Sequence, residues 1–447
     1  MKFKKYLALS VGYALTVVAA SFSTLVLAAS PSPSSVTIDQ HSTLETIAQS
    51  ANSVQSFPAW DNFIEDLRQL APKMLAKLPE RLRNDPQTQQ EIGRLMLEAL
   101  ASRTIEAIAG DGDHPVFLPS INATLNIGQP NADTTYRSAE ITPSGLYRLR
   151  GQIGSLRIFK LGQFGPMPSQ ASGGIKVFAY NDFSKLHLDK EGYFDVILSQ
   201  TRPEAYQGDW WELNPKTTSL MIRQVAYDWK RERDPTLAIE RLDKPVQRPR
   251  PSAAELESRL RRLAAQTTNI ATFLVDHVEG LRREGYTNKL KVFDVSNLGG
   301  LVGQFYYEGA YELETGEALI VEAKVPEHCG YSSIILTNDI YETTDWYNNQ
   351  SSLNGSQVRV DYDGILRIVV SAQDPGVPNW LDTAGHASGA IQGRWTDCDA
   401  TPIPTVRKVA LAEVRQLLPV DTPVVTPVQR EQIVRDRRAK LQQRPLW

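Results

Sequence analysis

Cysteine is scarce in this chain: two residues in 447, Cys329 and Cys398. With no C-x-x-C pair and no Cys/His cluster, the sequence shows no zinc-ligand pattern, and no metal is expected. Charge of one sign is lacking too. Lys and Arg total 48 against 51 Asp and Glu, a formal net charge of −3, which argues against nucleic acid, whose phosphates need a basic surface. Nor does the chain lack apolar residues: 41% hydrophobic against 22% charged excludes disordered and collagen-like classes. Catalytic signatures are missing as well. There is no G-x-S-x-G, H-E-x-x-H, phosphate-binding G-x-x-x-x-G-K or dinucleotide G-x-G-x-x-G. The glycine-rich stretch Leu298-Gly299-Gly300-Leu301-Val302-Gly303 has the wrong spacing and leads into a strand pattern.

The one long uncharged run is Tyr6 to Ala29, behind three lysines in Met1 to Lys5 and ahead of Ser30-Pro31-Ser32-Pro33-Ser34-Ser35. A basic start, an apolar stretch and a small-residue exit at Ala28-Ala29 form an export signal. Residues 6–28 are also long enough to stay as an uncleaved anchor. The expected location is therefore the periplasm or extracellular space, with membrane contact only through this segment. Outside the cytoplasm a disulfide between Cys329 and Cys398 is allowed but not required.

The expected organisation is a signal or anchor over 1–29, a Ser/Pro linker over 30–40 and a helical region over 41–112. A first β-sandwich follows over 113–250, a bridging helix over 251–286, a second sandwich over 287–415 and a basic tail over 416–447. The fold class is thus multidomain α and β: a helical N-terminal part plus two antiparallel, jelly-roll-like β-sandwiches joined by a long helix. Leu67, Leu70, Met74, Leu75 and Leu78, then Ile92, Leu95, Met96, Ala99, Leu100, Ile105 and Ile108, give the helical spacing. Ser219 to Trp229 reads as a short helix, with Leu220, Val225 and Trp229 on one face. Ser252-Ala253-Ala254-Glu255 is a capping-box signature, opening one helix to Gly285. Val358 to Tyr362 reads as a strand, and Arg430 to Arg444 as a helical surface segment.

Two polar clusters are candidate sites. Asn379, Trp380, Asp382 and His386 place an amide, an aromatic wall, a carboxylate and an imidazole in one loop after the turn Asp374-Pro375-Gly376. Asp382 could orient His386 for acid–base work; the bland alternative is a loop pinned by side-chain hydrogen bonds. In Asn131-Ala132-Asp133-Thr134-Thr135-Tyr136-Arg137, Asp133, Tyr136 and Arg137 could converge on a polar ligand, or the segment could be a turn entering a strand. His277 sits among apolar helix positions and reads as packed or solvent-facing.

Several of these segments resemble a known bacterial family. Gln350-Ser351-Ser352-Leu353-Asn354-Gly355, Pro378-Asn379-Trp380-Leu381-Asp382-Thr383, Gly389 and Arg394-Trp395 resemble the C-terminal domain of unknown function numbered 1214. Asn131-x-Asp133-Thr134-x-Tyr136 looks like the motif shared with its companion domain numbered 1254. Trp210-Trp211-x-Leu213, Arg223-Gln224 and Asp228-Trp229 also fit this arrangement. The resemblance implies a helical part with two β-sandwiches, and it adds Arg394 to the ligand-binding candidates. The functional expectation is an exported envelope protein holding a small, amphipathic or lipid-like molecule in a sandwich pocket, without a cofactor. The alternative is a hydrolase- or lyase-type enzyme that needs no redox cofactor, with Asp382 and His386 as catalytic residues.

Overall fold

The computed structural model describes residues 58–166, 174–295, 298–301 and 303–445. The expected signal or anchor and its linker lie outside them. Four helices come first: α1 (Pro58–Arg68), α2 (Leu70–Ala76), α3 (Glu80–Arg83) and α4 (Pro86–Ala109). The Asp85 side chain accepts from the Thr88 amide and Pro86 occupies the first turn, where its missing N–H costs no helical bond. Leu70, Met74, Leu78, Ile92, Leu95 and Ala99 then pack in one apolar cluster with Ala271 and Val275.

The first β region contains β1 (Leu118–Pro119), β2 (Thr134–Glu140), β3 (Tyr147–Gln152), β4 (Ile158–Phe164), β5 (Val177–Asp182), β6 (Tyr193–Ser199), β7 (Asp209–Glu212), β8 (Ser219–Val225) and β9 (Ala238–Arg241). One sheet runs β1-β2-β8-β4-β5 and the other β7-β6-β3-β9. The second region contains β10 (Lys291–Val292), β11 (Gln304–Glu312), β12 (Glu317–Lys324), β13 (Cys329–Leu336), β14 (Ser352–Asn354), β15 (Ile365–Ser371), β16 (Trp380–Asp382), β17 (Ser388–Cys398) and β18 (Thr405–Ala410). Its sheets run β10-β11-β17-β13-β14 and β16-β15-β12-β18. Adding nine to every strand number of the first region reproduces the second. The parallel pairs correspond as well, β6 with β7 and β15 with β16. The described residues are therefore a mixed α and β fold: helices first, then two β regions with one connectivity. In each region both sheets feed a single buried cluster.

Five expectations change. Ser219 to Val225 is strand β8 rather than a helix, because Leu220 and Ile222 are fully buried while Met221 and Arg223 turn the other way; period two outweighs the helical spacing of three residues. The bridging helix is two helices, α5 (Ala253–Thr272) and α6 (His277–Arg283). Ser252 does cap α5, accepting from the Glu255 amide. At the break, Lys77 donates to the Thr272 carbonyl at 2.9 Å, and Phe273, Leu274 and Val275 enter a cavity wall. Val358 to Tyr362 is not a strand: the Asn379 amide donates to Arg359 O at 2.6 Å and accepts from Arg359 N at 2.8 Å, taking the place of a neighbouring strand.

The tail is helical but not a surface segment. After the short α7 (Val414–Leu417), α8 (Pro427–Gln442) carries Arg430 and Arg437 into the interior. Arg430 pairs with Asp374 at 2.9 Å. Arg437 lies 4.8 Å over the Trp229 ring; burial pulls it down to about 10, and it stays charged at neutral pH. Arg444, one heptad further on, pairs with Asp234 at 2.8 Å and donates to the carbonyls of Asp133 and Gln224. Arginines at seven-residue spacing thus tie the two β regions together. The fifth change is the pocket, which lies in the core of neither β region: Phe159, Phe183 and Phe194 fill one core, and Tyr311, Leu336, Val370 and Ile391 the other.

Candidate functional site

A cavity of about 210 Å³ lies at the junction of the two β regions with α4, α5, the segments 273–275, 298–300 and 340–342, and Phe293 and Val295. Each region contributes a cross-strand Tyr–Arg pair to it. In β2 and β8, Tyr136 stands opposite Arg223; in β11 and β17, Tyr306 stands opposite Arg394. The strands correspond under the nine-strand repeat, so the two pairs occupy equivalent places. Strand alternation sends all four side chains away from the cores and into the space between the regions.

Arg223 donates to the Tyr180 hydroxyl and the Gly299 carbonyl, and its guanidinium lies 5.5 to 5.9 Å from the rings of Tyr180, Phe164 and Tyr136. Arg394 is 5% exposed, donates to Gln392 at 2.7 Å and lies 5.2 Å over Tyr306. Its Nε is buried without a partner. Neither arginine has a carboxylate within ion-pair distance among the described residues. A guanidinium stays protonated in a protein, and a buried charge without a counter-charge is costly. The site therefore holds two arginines with no paired carboxylate among the described residues, beside the Arg103–Glu106 pair and the Glu342 carboxyl. Burial pushes Tyr306 up, with Arg394 and Arg223 opposing, so its hydroxyl keeps its proton.

Arg394 also ends a chain of hydrogen bonds. Gln392 donates to the Tyr341 hydroxyl at 2.7 Å, Tyr341 to Glu308 at 3.3 Å, and His277 Nε2 lies 2.9 Å from the same Glu308 oxygen. Tyr341 holds a left-handed backbone with φ of 67°, an unfavourable conformation for a bulky side chain, and its ring rests 4.4 Å from His277. Next to it, Glu342 lines the cavity at 4% exposed. Asn338 donates to one carboxyl oxygen at 2.7 Å and the other is buried without a partner. Burial, helped by the charge of Glu98, pushes Glu342 up to about 8. The rest of the wall is largely apolar, with Phe164, Ile175, Met221, Leu274, Phe293 and Ile340.

Of the residues singled out from sequence, Tyr136 and Arg394 line this cavity. Arg137 follows Tyr136 in β2 and so faces the opposite side of the sheet; its Nε is buried and unpartnered there. Asn131 and Asp133 sit in a closed polar knot. The Asp133 carboxylate accepts from Trp229 and Asn354 at 2.8 Å and from Tyr331 at 2.6 Å, and Asn131 donates to Tyr331 at 2.8 Å. Burial raises Asp133 against those bonds. The knot joins the two β regions and is absent from the cavity wall.

The 379–386 loop stays away from the cavity, a correction to its expected role. Asn379 pins the 358–362 segment. Trp380 donates to Ser371 and carries Arg430 5.0 Å over its ring. Asp382 accepts from the Ala384 amide at 2.8 Å, a local turn, and lies apart from His386 in bonding. His386 Nδ1 is 3.3 Å from Glu91 on α4. Burial raises Glu91 to about 7 and lowers His386, favouring the neutral form of each. The polar residues of this loop bond to the loop's own backbone and to neighbours outside the cavity. Cys329 and Cys398 stand directly opposite across β13 and β17 and form a disulfide.

Sequence reasoning missed Arg223, Tyr306, Glu342, Gln392 and Gly299 as wall residues. The alternation in Ser219 to Val225 was the available signal for Arg223. Gly299 adopts φ of 75°, and a Cβ there would meet Ile175 at 3.1 Å and Phe164 at 3.2 Å, which is why glycine brings this carbonyl to Arg223.

Connectivity and site together define a tandem β protein with its cavity between the two repeats. Its fold is similar to that of an uncharacterised protein from Burkholderia cenocepacia: 26% identity over 79% of this chain and 97% of that one, with a TM-score of 0.73. A looser likeness, at 12% identity and a TM-score of 0.40, covers 71% of this chain and 98% of a Vibrio parahaemolyticus protein. No protein-family model matches the chain, and no curated protein matches it in sequence.

Proposed function

We propose that this is an exported protein that binds a small amphipathic organic anion between its two β regions, each read as a two-layer sandwich. One observation carries the binding: Arg223 and Arg394 line a single, largely apolar cavity, and among the described residues no acid is paired to either. A ligand anion would replace the missing counter-charge, and the apolar wall would take its body. Cavity size supports a small ligand, since a void of about 150 Å³ already holds benzene. Export rests on the lysine-led apolar N-terminus, and the Cys329–Cys398 disulfide fits an oxidising compartment.

The test compares benzoate with neutral benzamide by calorimetry and thermal shift. Benzoate should bind and raise Tm, Arg394→Gln should weaken it roughly tenfold or more, and His386→Ala should leave affinity unchanged. Equal binding of the amide would overturn the reading. Glu342 favours a second reading, an acid–base enzyme on the same molecule. A buried carboxyl poised near 8, with one oxygen unpartnered in the wall, suits proton transfer near neutral pH.

A further inference from the structure

We infer that the ligand is a compact dianion, one that brings a negative charge to each of the two equivalent Tyr–Arg pairs. This rests on the anion reading above and adds to it the ligand's charge and symmetry. The nine-strand repeat places Arg223 and Arg394 at matching register positions, opposite Tyr136 and Tyr306. Each guanidinium rests on the tyrosine of its own pair, at 5.9 and 5.2 Å. A monoanion would leave one of these cations without a counter-charge in a largely apolar wall, the arrangement that burial penalises. Of the acids nearby, Glu342 is held by Asn338 rather than by either arginine and keeps one oxygen without a partner, and three others are committed elsewhere. Asp133 is saturated by Trp229, Asn354 and Tyr331, Glu308 is shared by His277 and Tyr341, and Glu106 pairs with Arg103.

The shared chemistry is two negative charges on a small apolar body, carried either as two carboxylates or as one phosphate monoester. Since the two arginines come from different sheets, the dicarboxylate spreads its charges over both pairs, whereas a phosphate must bring the pairs to one group.

Calorimetry on the full chain would compare isophthalate and adipate with benzoate and hexanoate, and phenyl phosphate as the third arm. Both dicarboxylates should bind at least tenfold more tightly than their monoacids. Arg223→Gln and Arg394→Gln should each erase that advantage, bringing isophthalate to the level of benzoate, while Arg223→Lys and Arg394→Lys retain it. Preference for phenyl phosphate over isophthalate would assign the dianion to a phosphate monoester and still support the inference. Monoacids binding as tightly as diacids would overturn it and leave the anion reading standing; no binding by any anion would overturn both. Because neither arginine has an acid partner among the described residues, the Gln variants should keep Tm close to that of the parent chain. Loss of folding would be met with the Lys variants, whose failure to distinguish diacid from monoacid overturns the proposal.

Discussion

The first β region builds a cluster of touching aromatic rings into its core, and the second surrounds Tyr311 with aliphatic side chains and adds a covalent staple. In the first, Phe159 and Phe183 stack with centroids 3.8 Å apart, and Phe194 and Trp211 meet Phe183 edge-on. In the second, Leu319, Val321, Ile334, Ile368 and Val370 pack around Tyr311, and Cys329 is bonded to Cys398. Yet both thread nine strands through the same order. The comparison teaches that connectivity follows from where strands alternate and turn, while the chemistry of the core is free to differ as long as it closes. What the two regions do keep in common is a tyrosine opposite an arginine on the outward face.

Predictions that break this comparison begin with the aromatic core. Phe183 is fully buried, so Phe183→Ala should cost about 3–5 kcal/mol. Denaturant unfolding measures the loss, and hydrogen exchange should place it in β4 and β6 before β12 and β15. A smaller, opposite asymmetry is expected from the staple. Cys398→Ser opens a loop spanning 69 residues and should cost about 2–4 kcal/mol, with lost protection in β13 and β17 and none in β4 and β8.

The smallest effect sharpens the comparison through pH. Glu342 belongs to the second region and has no cavity-facing carboxyl counterpart described in the first. Its folded pKa, about 8, lies above the usual 4.5, so the folded state holds the proton longer than the unfolded one. Its contribution is fully present below about 4.5 and is lost as pH rises through about 8. Glu91, Arg94 and Glu98 of α4 are the charged groups acting on it. Glu342→Gln should therefore raise Tm relative to the parent at pH 8 and change it little at pH 4. Equal shifts at both values would show that Glu342 ionises normally.

Much of the fold was legible. The helical spacing at Leu70 and Met74 and at Ile92 to Ile108 located two helices, and Ser252 marked the start of another, because these signals act within a few residues of chain. Trp380 and Asn379 were rightly noticed as unusual, but their polar atoms bond to backbone that only the folded loop brings near. Arg223 was passed over because its strand was read as a helix, and Glu342 because nothing local distinguishes it.

By itself the sequence determined the amphipathic helices, the two strand-rich regions and the apolar, lysine-led start, since periodicity and charge are properties of neighbours in the chain. Tertiary structure decided that strands nine places apart are equivalent, that Tyr136 and Arg137 face opposite ways toward different surroundings, and that Arg223 and Arg394 share one cavity. Residues 171 positions apart have no local signal in common; only the packing of the two β regions brings both guanidiniums to one cavity, with no acid paired to either among the described residues.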